Sequence, residues 1–184
     1  GFDALFLLGF MNLLPATLSE KDRPAIDALS SDQLWQDCQD TIKRSIGLFE
    51  QAGYDLEVEA YYFTILLGNP EKPMLQLNKG YSGDGGIPGY LMLSILPNDY
   101  TLPRIQAALA HECNHNVRFQ FIKWNQQTTL ADWVVSEGLA ESFAAELYGK
   151  DLIGPWVTST SPEQLEEIKP IISSQLQLTG MAEM

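Results

Sequence analysis

Histidine and cysteine are both scarce in this sequence. Its 184 residues include two cysteines, Cys38 and Cys113, and two histidines, His111 and His115. Two cysteines cannot build the disulfide framework of a small secreted protein, so the sequence favours a reducing compartment, and we expect a cytoplasmic location. The two histidines lie four positions apart, and all imidazole chemistry of this chain is therefore confined to one short segment.

Basic side chains and long apolar runs are also few. The 11 lysines and arginines stand against 24 aspartates and glutamates, which gives a formal net charge of −13. This balance argues against nucleic-acid binding through a basic surface and against docking on anionic membranes. The apolar residues 2–14 are too few to cross a bilayer and follow no basic segment, so they predict a helix that packs in a core.

The two histidines frame a glutamate in the string His111-Glu112-Cys113-Asn114-His115. On an α-helix a step of four residues returns to nearly the same face, so both imidazoles can point at one metal ion. Glu112 would then project toward the open side of that ion. Cys113 lies about 200° around the helix from His111, which predicts a buried or half-buried free thiol rather than a metal ligand.

The surrounding sequence predicts a helix with the histidines facing inward. Thr101 and Pro103 are typical of a helix start. Apolar residues then recur at helical spacing, at Ile105, Ala108, Leu109, Phe119 and Ile122. The histidines lie within or beside this stripe, whereas Asn114 and Asn116 lie off the metal face and are interpreted as polar surface residues. Two buried histidines that are merely hydrogen-bonded in a core are the alternative.

A second predicted helix, residues 130–148, carries two acids on an apolar stripe. Glu137 and Glu141 lie four residues apart, in line with apolar positions along the same helix. Burying an ionised carboxylate requires a compensating partner, and a zinc ion held by the histidines would be one. Gly138 is costly inside a helix and indicates the close approach of another backbone. A solvated helix face is the alternative interpretation.

The His-Glu-x-x-His string followed by Glu137-Gly138-Leu139-Ala140-Glu141 resembles the gluzincin metallopeptidases, most closely a bacterial family of predicted Zn-dependent proteases. The resemblance implies that Glu137 is the third zinc ligand and that Glu141 hydrogen-bonds a zinc-ligating histidine. It also implies a zincin-like α+β fold, in one domain over residues 1–184. Members of that family usually continue further, which leaves open that C-terminal elements lie outside this chain.

The rest of the chain predicts strands followed by helices, the pattern of an α+β protein. We predict a helix at residues 31–52, strands at 56–67, 74–77 and 89–96, a glycine-rich turn at 80–86, and a helix after Ser161 that breaks at Pro170. By the same resemblance, residues 89–92 would form the sheet edge that pairs with an extended peptide, with Tyr90 contacting substrate. An ordinary core strand is the equal alternative.

Together these observations predict a zinc metallopeptidase that acts on peptides or unfolded protein segments. Zn²⁺ would be bound by His111, His115 and Glu137, with Glu112 as the general base. A partner for the transition-state oxyanion is not evident; Tyr90 ranks ahead of Tyr148 and Arg118 for that role. The alternative is a metal-binding regulatory or interaction protein with little turnover. The oligomeric state and the substrate sequence are not encoded in these motifs.

Overall fold

A small sheet and a set of helices make up residues 19–180, the part of the chain described by the computed structural model. The helices are α1 (Arg23–Leu29), α2 (Asp32–Gln51), α3 (Pro73–Leu77), α4 (Ile105–Phe121), α5 (Leu130–Tyr148), α6 (Pro155–Thr158) and α7 (Pro162–Gln175). The strands are β1 (Tyr62–Leu67), β2 (Tyr81–Ile87) and β3 (Tyr90–Ile95). This mixture confirms the α+β class. The predicted helix at residues 2–14 lies outside the described residues.

The three strands are arranged in the order β1-β3-β2. β3 pairs in parallel with β1, from Tyr62 opposite Tyr90 to Leu67 opposite Ile95, and antiparallel with β2. The prediction that residues 89–92 form a sheet edge is therefore wrong, and the core-strand alternative is confirmed. Gly89, with φ 85°, only shapes the tight connection from β2 into β3.

Two short segments differ from their predictions. Residues 74–77 form helix α3 rather than a strand, because Pro73 occupies the first helical turn, where its missing N–H costs nothing. Residues 81–87 form strand β2 rather than a turn. Glycine favours turns because its backbone is flexible, but it is also required where another element packs closely against the backbone. The glycines of β2 have this second role.

The longer predictions agree better with the structure. The helix predicted at residues 31–52 is α2, and the strand predicted at 56–67 is reduced to β1. α7 begins after Ser161 as expected but continues through Pro170. A proline removes one hydrogen bond inside a helix and bends it, which need not end it.

The core lies between the sheet, α2 and α4. Alternation along β3 directs Leu91, Leu93 and Ile95 to the same face, where they are buried at 2% exposure or less. They belong to one cluster with residues of α2 (Cys38, Ile42, Ile46) and of α4 (Ile105, Leu109, Cys113, Val117). α5 packs on another side of α4. The helix with both histidines is thus enclosed by sheet and helices.

Within residues 19–180, no helix combines the length and apolar character needed to cross a bilayer.

Candidate metal centre

The two histidines lie side by side in the interior. His111 and His115 are 6% and 7% exposed, and their Nε2 atoms are 3.0 Å apart. Both residues belong to α4, so their proximity follows from the four-residue helical step. Both Nε2 atoms therefore face one point between α4 and α5.

Glu137 of α5 completes a set of three donors. Its carboxylate oxygens lie 3.3 Å from Nε2 of His111 and 3.3 Å from Nε2 of His115. The three ligand atoms all fall within 4.8 Å of one another. The Glu137 side chain is 53% exposed, so one side of the cluster is open to solvent.

The donor set fits a zinc ion. Zinc–ligand distances of about 2.0–2.2 Å place two donors of a tetrahedral site roughly 3.3–3.6 Å apart. The observed separations of 3.0–3.3 Å are close to that range. Two imidazole nitrogens and one carboxylate oxygen, with an open side, are also the ligand chemistry of catalytic rather than structural zinc sites.

Glu141 lies behind His111, as the resemblance implied. Its Oε2 is 2.9 Å from Nδ1 of His111, and the Trp156 indole N–H donates to the same oxygen at 3.0 Å. The backbone N–H of Gly154 donates to Oε1 at 2.6 Å. Three donors therefore fix this carboxylate, and its partner ring, in one orientation.

Sequence reasoning did not single out Trp156 or Gly154. They reach Glu141 because the loop after α5 folds back, and no local periodicity reports such a contact. A Cβ at Gly154 would lie 2.0 Å from the Trp156 ring, so glycine is required for the indole to reach the carboxylate.

Ser136 supports the second histidine and was also missed. Its Oγ lies 3.1 Å from Nδ1 of His115, and the residue is 1% exposed. If Nε2 binds a metal, Nδ1 carries the proton and donates to the serine oxygen. A serine one residue before a predicted ligand carries no recognisable signal in the sequence.

The side chain of Glu112 lies between its own helix, α4, and strand β2. It is 7% exposed, and a Cβ at Gly83 would lie 2.2 Å from its Oε1. A Cβ at Gly85 would lie 2.2 Å from its carbonyl oxygen. Only glycine at these two positions allows β2 to rest directly on the helix. The glycines that suggested a turn are therefore part of the wall around Glu112.

Asn116 is not a surface residue, so that prediction is wrong. Its side chain is fully buried, and its Nδ2 donates to the carbonyls of Gly85, Ile87 and Tyr90 at 2.7–3.0 Å. Its Oδ1 accepts the backbone N–H of Gly89 at 2.8 Å. One amide can satisfy several backbone groups of a tight connection, which is why it is buried here. Asn116 thereby ties the β2–β3 connection to α4.

Several other side chains can be placed. Cys113 is a buried free thiol, as predicted. Tyr90 is 59% exposed and stacks on Tyr62 with centroids 5.6 Å apart. Strand alternation puts Tyr90 on the sheet face opposite Leu91, which packs in the core with α4, so the structure does not bring it to the histidines. The hydroxyl of Tyr148 is 2.6 Å from Thr41 Oγ1.

The expected close approach at Gly138 is also not observed. A Cβ at this position would meet no atom of the described residues within 4 Å. Its neighbours Val134, Val135 and Leu139 are each about half exposed. The glycine is therefore not explained by packing of another backbone, and nothing in the described structure accounts for it.

Burial and charge perturb the site strongly. Burial raises the pKa of Glu112 to about 6, although the two histidines counteract part of this. Burial lowers the pKa of His111, but the Glu137 and Glu141 carboxylates outweigh it and raise the pKa to about 10. Burial also opposes ionisation of Glu137, yet hydrogen bonds from both imidazoles lower its pKa to about 2. The cluster therefore attracts positive charge, from a proton or from a metal cation.

Comparison with known proteins agrees with this geometry. Residues 34–184 match the protein family described as "Predicted Zn-dependent protease". The chain belongs to this family. It is 35% identical, over its whole length, to the uncharacterized protein YjfC of Bacillus subtilis, and it spans 61% of that protein. It is 32% identical to the uncharacterized protein YjaZ of the same organism over 78 residues, which are 42% of this chain and 30% of YjaZ. No solved structure matches the chain.

Proposed function

We propose that this chain is a gluzincin-type, zinc-dependent peptidase domain with a zincin-like fold. The single observation that carries the proposal is the convergence of His111, His115 and Glu137 beside the buried carboxylate of Glu112. Family membership supports the metal and the reaction class. The gluzincin mechanism, the single-domain organisation and the substrate remain part of the proposal.

Three side chains would hold zinc: His111, His115 and Glu137. When bound in such a site, zinc polarises a substrate carbonyl and lowers the pKa of a water molecule to about 7. The open side next to the half-exposed Glu137 leaves room for both the water and the carbonyl. The protein's own contribution is to bring the three donors together, two of them on the buried helix α4.

Glu112 is the proposed general base. It would accept the proton of the attacking water and then give it to the amine that leaves. A base works best with a pKa near the working pH, and burial moves the pKa of Glu112 from its ordinary value toward neutrality. β2 packs directly on this carboxylate at Gly83.

Glu141 and Ser136 would act on the histidines rather than on substrate. Each contacts the Nδ1 of one ring, which leaves both Nε2 atoms free for the metal. Such outer contacts fix the tautomer and the ring orientation of ligating histidines.

The free edge of β2 is the proposed peptide-binding edge. Among the described strands, β2 pairs with β3 on one side and with none on the other. β2 also lies directly against Glu112 through Gly83 and Gly85. An extended peptide could therefore add to this edge through backbone hydrogen bonds, with its carbonyl near the metal position. This assignment replaces residues 89–92.

A second candidate function is metal-dependent regulation or interaction with little turnover. One observation supports it: Tyr90 stacks on Tyr62 and the hydroxyl of Tyr148 contacts Thr41, so neither tyrosine is an evident partner for an oxyanion. Under this candidate the metal would stabilise the fold without peptide cleavage.

Metal analysis combined with a Glu112→Gln variant tests the proposal. Purified protein should contain about one zinc per chain and should cleave unfolded protein substrates. Glu112→Gln should retain zinc and lose cleavage by roughly 1,000-fold or more, because the base is removed while the ligands stay. Glu146→Gln, an exposed change on α5, is the matched control and should alter neither property. Cleavage that persists in Glu112→Gln would rule out the proposed base, and zinc without any cleavage would favour the second candidate.

A further inference from the structure

A cavity lies at the C-terminal end of α4, one turn beyond His115. Its volume is about 140 Å³, and its walls include Arg118, Phe119, Lys123 and Trp124. Asp132, in the first turn of α5, forms part of the opposite wall. Neither the metal site nor the proposed peptide edge requires this cavity.

Aromatic rings connect this cavity to the metal ligands. Phe119 stacks on the imidazole of His115, with centroids 5.8 Å apart and planes 8° apart. Trp124 packs edge-on against Phe119 at 5.6 Å. These contacts put Trp124 within roughly 11 Å of the His115 ring, a distance that an extended peptide covers in about three residues. A peptide bound at the metal could therefore place a nearby residue in the cavity.

The cavity concentrates positive charge in an acidic protein. Arg118 and Lys123 are two of only 11 basic residues in a chain with 24 acidic ones. Asp132 senses the charge of Arg118, but its carboxylate already accepts hydrogen bonds from the backbone N–H and the hydroxyl of Thr129. Asp132 therefore lies near Arg118 in the cavity without forming an ion pair with it.

Arg118 is half-buried and has no acceptor among residues 19–180. No hydrogen bond or ion pair in that part of the chain reaches its guanidinium or the ammonium of Lys123. Arg104 differs, because its Nη1 and Nη2 donate to the carbonyls of Tyr100 and Asp151. The guanidinium of Arg118 is open to solvent, and a bidentate carboxylate is the partner that matches guanidinium geometry best.

We propose that Arg118 and Lys123 form a subsite that binds a carboxylate of the peptide substrate. The proposal rests on the proposed peptidase function and adds a substrate preference to it. The carboxylate can be the side chain of an acidic residue or the C-terminus of the peptide. β2 runs from Tyr81, beside Trp156, toward Ile87, whose carbonyl is bound by Asn116. A peptide antiparallel to β2 would place an acidic side chain N-terminal to the cleaved bond in the cavity, and a parallel peptide would place its C-terminus there.

Four synthetic peptide mixtures distinguish a side-chain carboxylate from a C-terminal carboxylate. Each contains N-terminally labelled heptapeptides randomised over the same uncharged residues, with glutamate or glutamine fixed at the centre and a free or amidated C-terminus. Binding is measured by fluorescence anisotropy with zinc-loaded Glu112→Gln protein, which separates binding from turnover. Cleavage of the same mixtures is measured by mass spectrometry with the zinc-loaded wild-type protein.

We expect one carboxylate to improve binding by on the order of 10- to 100-fold, the range for hydrogen bonds to charged groups. Tighter binding of both glutamate mixtures identifies a side-chain carboxylate, and tighter binding of both free-acid mixtures identifies the C-terminus. In either case Arg118→Gln should remove the difference, and Arg118→Lys should restore part of it because the charge is kept. Lys123→Gln should reduce the difference less, because this lysine is exposed.

Lys43→Gln is the charge-matched control, since Lys43 is exposed on α2. It should leave the preference intact if the effect is local. Equal binding of all four mixtures, or a preference that survives Arg118→Gln, would overturn the subsite. Cleavage without a carboxylate preference would reject the subsite and leave the peptidase function standing. A carboxylate preference in binding without any cleavage would support the subsite and reject the peptidase function.

Discussion

The two helices that build the metal centre differ sharply in how the protein holds them. α4 has 11 buried residues among its 17, including both histidines and Glu112, whereas α5 has four among its 19. Glu137 itself is half-exposed, and its described polar partners are the two imidazoles. α4 is therefore positioned by packing in the core. Glu137, the third ligand, is held mainly by its contacts with the two imidazoles.

The outer contacts show the same division. On α4, Glu112 is confined by Gly83, and Asn116 anchors the β2–β3 connection. On α5, Ser136 and Glu141 face inward and are buried, but the solvent side carries half-exposed valines and leucine. Substitutions on α4 should therefore disturb fold and metal binding together, and substitutions at Glu137 should disturb mainly metal binding.

Removal of single ligands is the strongest test of this difference. Structural zinc sites with four ligands bind with about 10–16 kcal/mol, so loss of one ligand should weaken zinc binding by roughly 100- to 1,000-fold. We expect this for both His115→Ala and Glu137→Gln, measured by competition with a chromophoric chelator. His115→Ala should lower the melting temperature of metal-free protein more than Glu137→Gln does, because it removes a buried ring stacked on Phe119. Equal melting temperatures for the two metal-free variants would contradict the division between the helices.

Glycine-to-alanine substitutions compare the same two regions through the backbone. Gly85→Ala should destabilise the protein by about 1–3 kcal/mol, because its Cβ would overlap the carbonyl oxygen of Glu112. Gly138→Ala should stabilise it by up to about 1 kcal/mol, because alanine favours helix and the space is open. Urea unfolding of metal-free protein measures both. A destabilising Gly138→Ala would mean that something outside residues 19–180 packs on α5.

Outer-contact substitutions should have a smaller effect on metal affinity. Loss of a residue that orients a ligating histidine typically weakens metal binding by about 10- to 100-fold. Glu141→Gln should lie at the upper end, since that carboxylate binds His111, Gly154 and Trp156, and Ser136→Ala at the lower end. Ser142→Ala, exposed on the same helix, should leave the affinity unchanged. An affinity for Ser136→Ala equal to wild type would remove Ser136 from the site.

The smallest effect we expect is a pH dependence of stability in metal-free protein. The pKa of His111 is raised from 6.5 to about 10 in the fold, so its protonation stabilises the protein fully below pH 6.5 and is lost as pH rises toward 10. The melting temperature in chelator should therefore fall by at least about 2–4 °C between pH 6.5 and pH 9, the shift for roughly 1 kcal/mol in a domain of this size. Zinc should reduce this fall, because the cation replaces the proton. A melting temperature that rises over this interval in chelator would contradict the assignment.

The parts of the site that could be predicted are those encoded by helical spacing. His111, Glu112 and His115 lie within one turn and a half, and Glu137 and Glu141 are again four residues apart. Their relative positions follow from local geometry once each helix is recognised. The position of Glu137 between the imidazoles needed the family resemblance as well, because helix-to-helix packing is not local.

The parts that could not be predicted depend on contacts between distant segments. Ser136, Trp156 and Asn116 gain their roles from packing across α5, the following loop and the β2–β3 connection. The glycines of residues 80–86 predict a turn, whereas residues 81–87 form strand β2. Glycine is favoured both in turns and where another element packs closely on the backbone, so the sequence does not distinguish the two. The resemblance predicts the sheet edge at the strand just before the metal helix, which is β3, whereas the free edge next to Glu112 belongs to β2.

The burial of the thiol within the metal-binding motif has a practical consequence. Cys113 is inaccessible in the folded protein, and burial raises the pKa of its thiol; burial likewise raises the pKa of Cys38, on the facing helix α2, to about 12. Alkylating reagents should therefore modify neither sulfur until the structure opens. The two cysteines can therefore report on the opening of the two helices that carry them. Faster labelling of Cys113 than of Cys38 would show that α4 detaches separately, and equal rates would show that both thiols become exposed only on global unfolding.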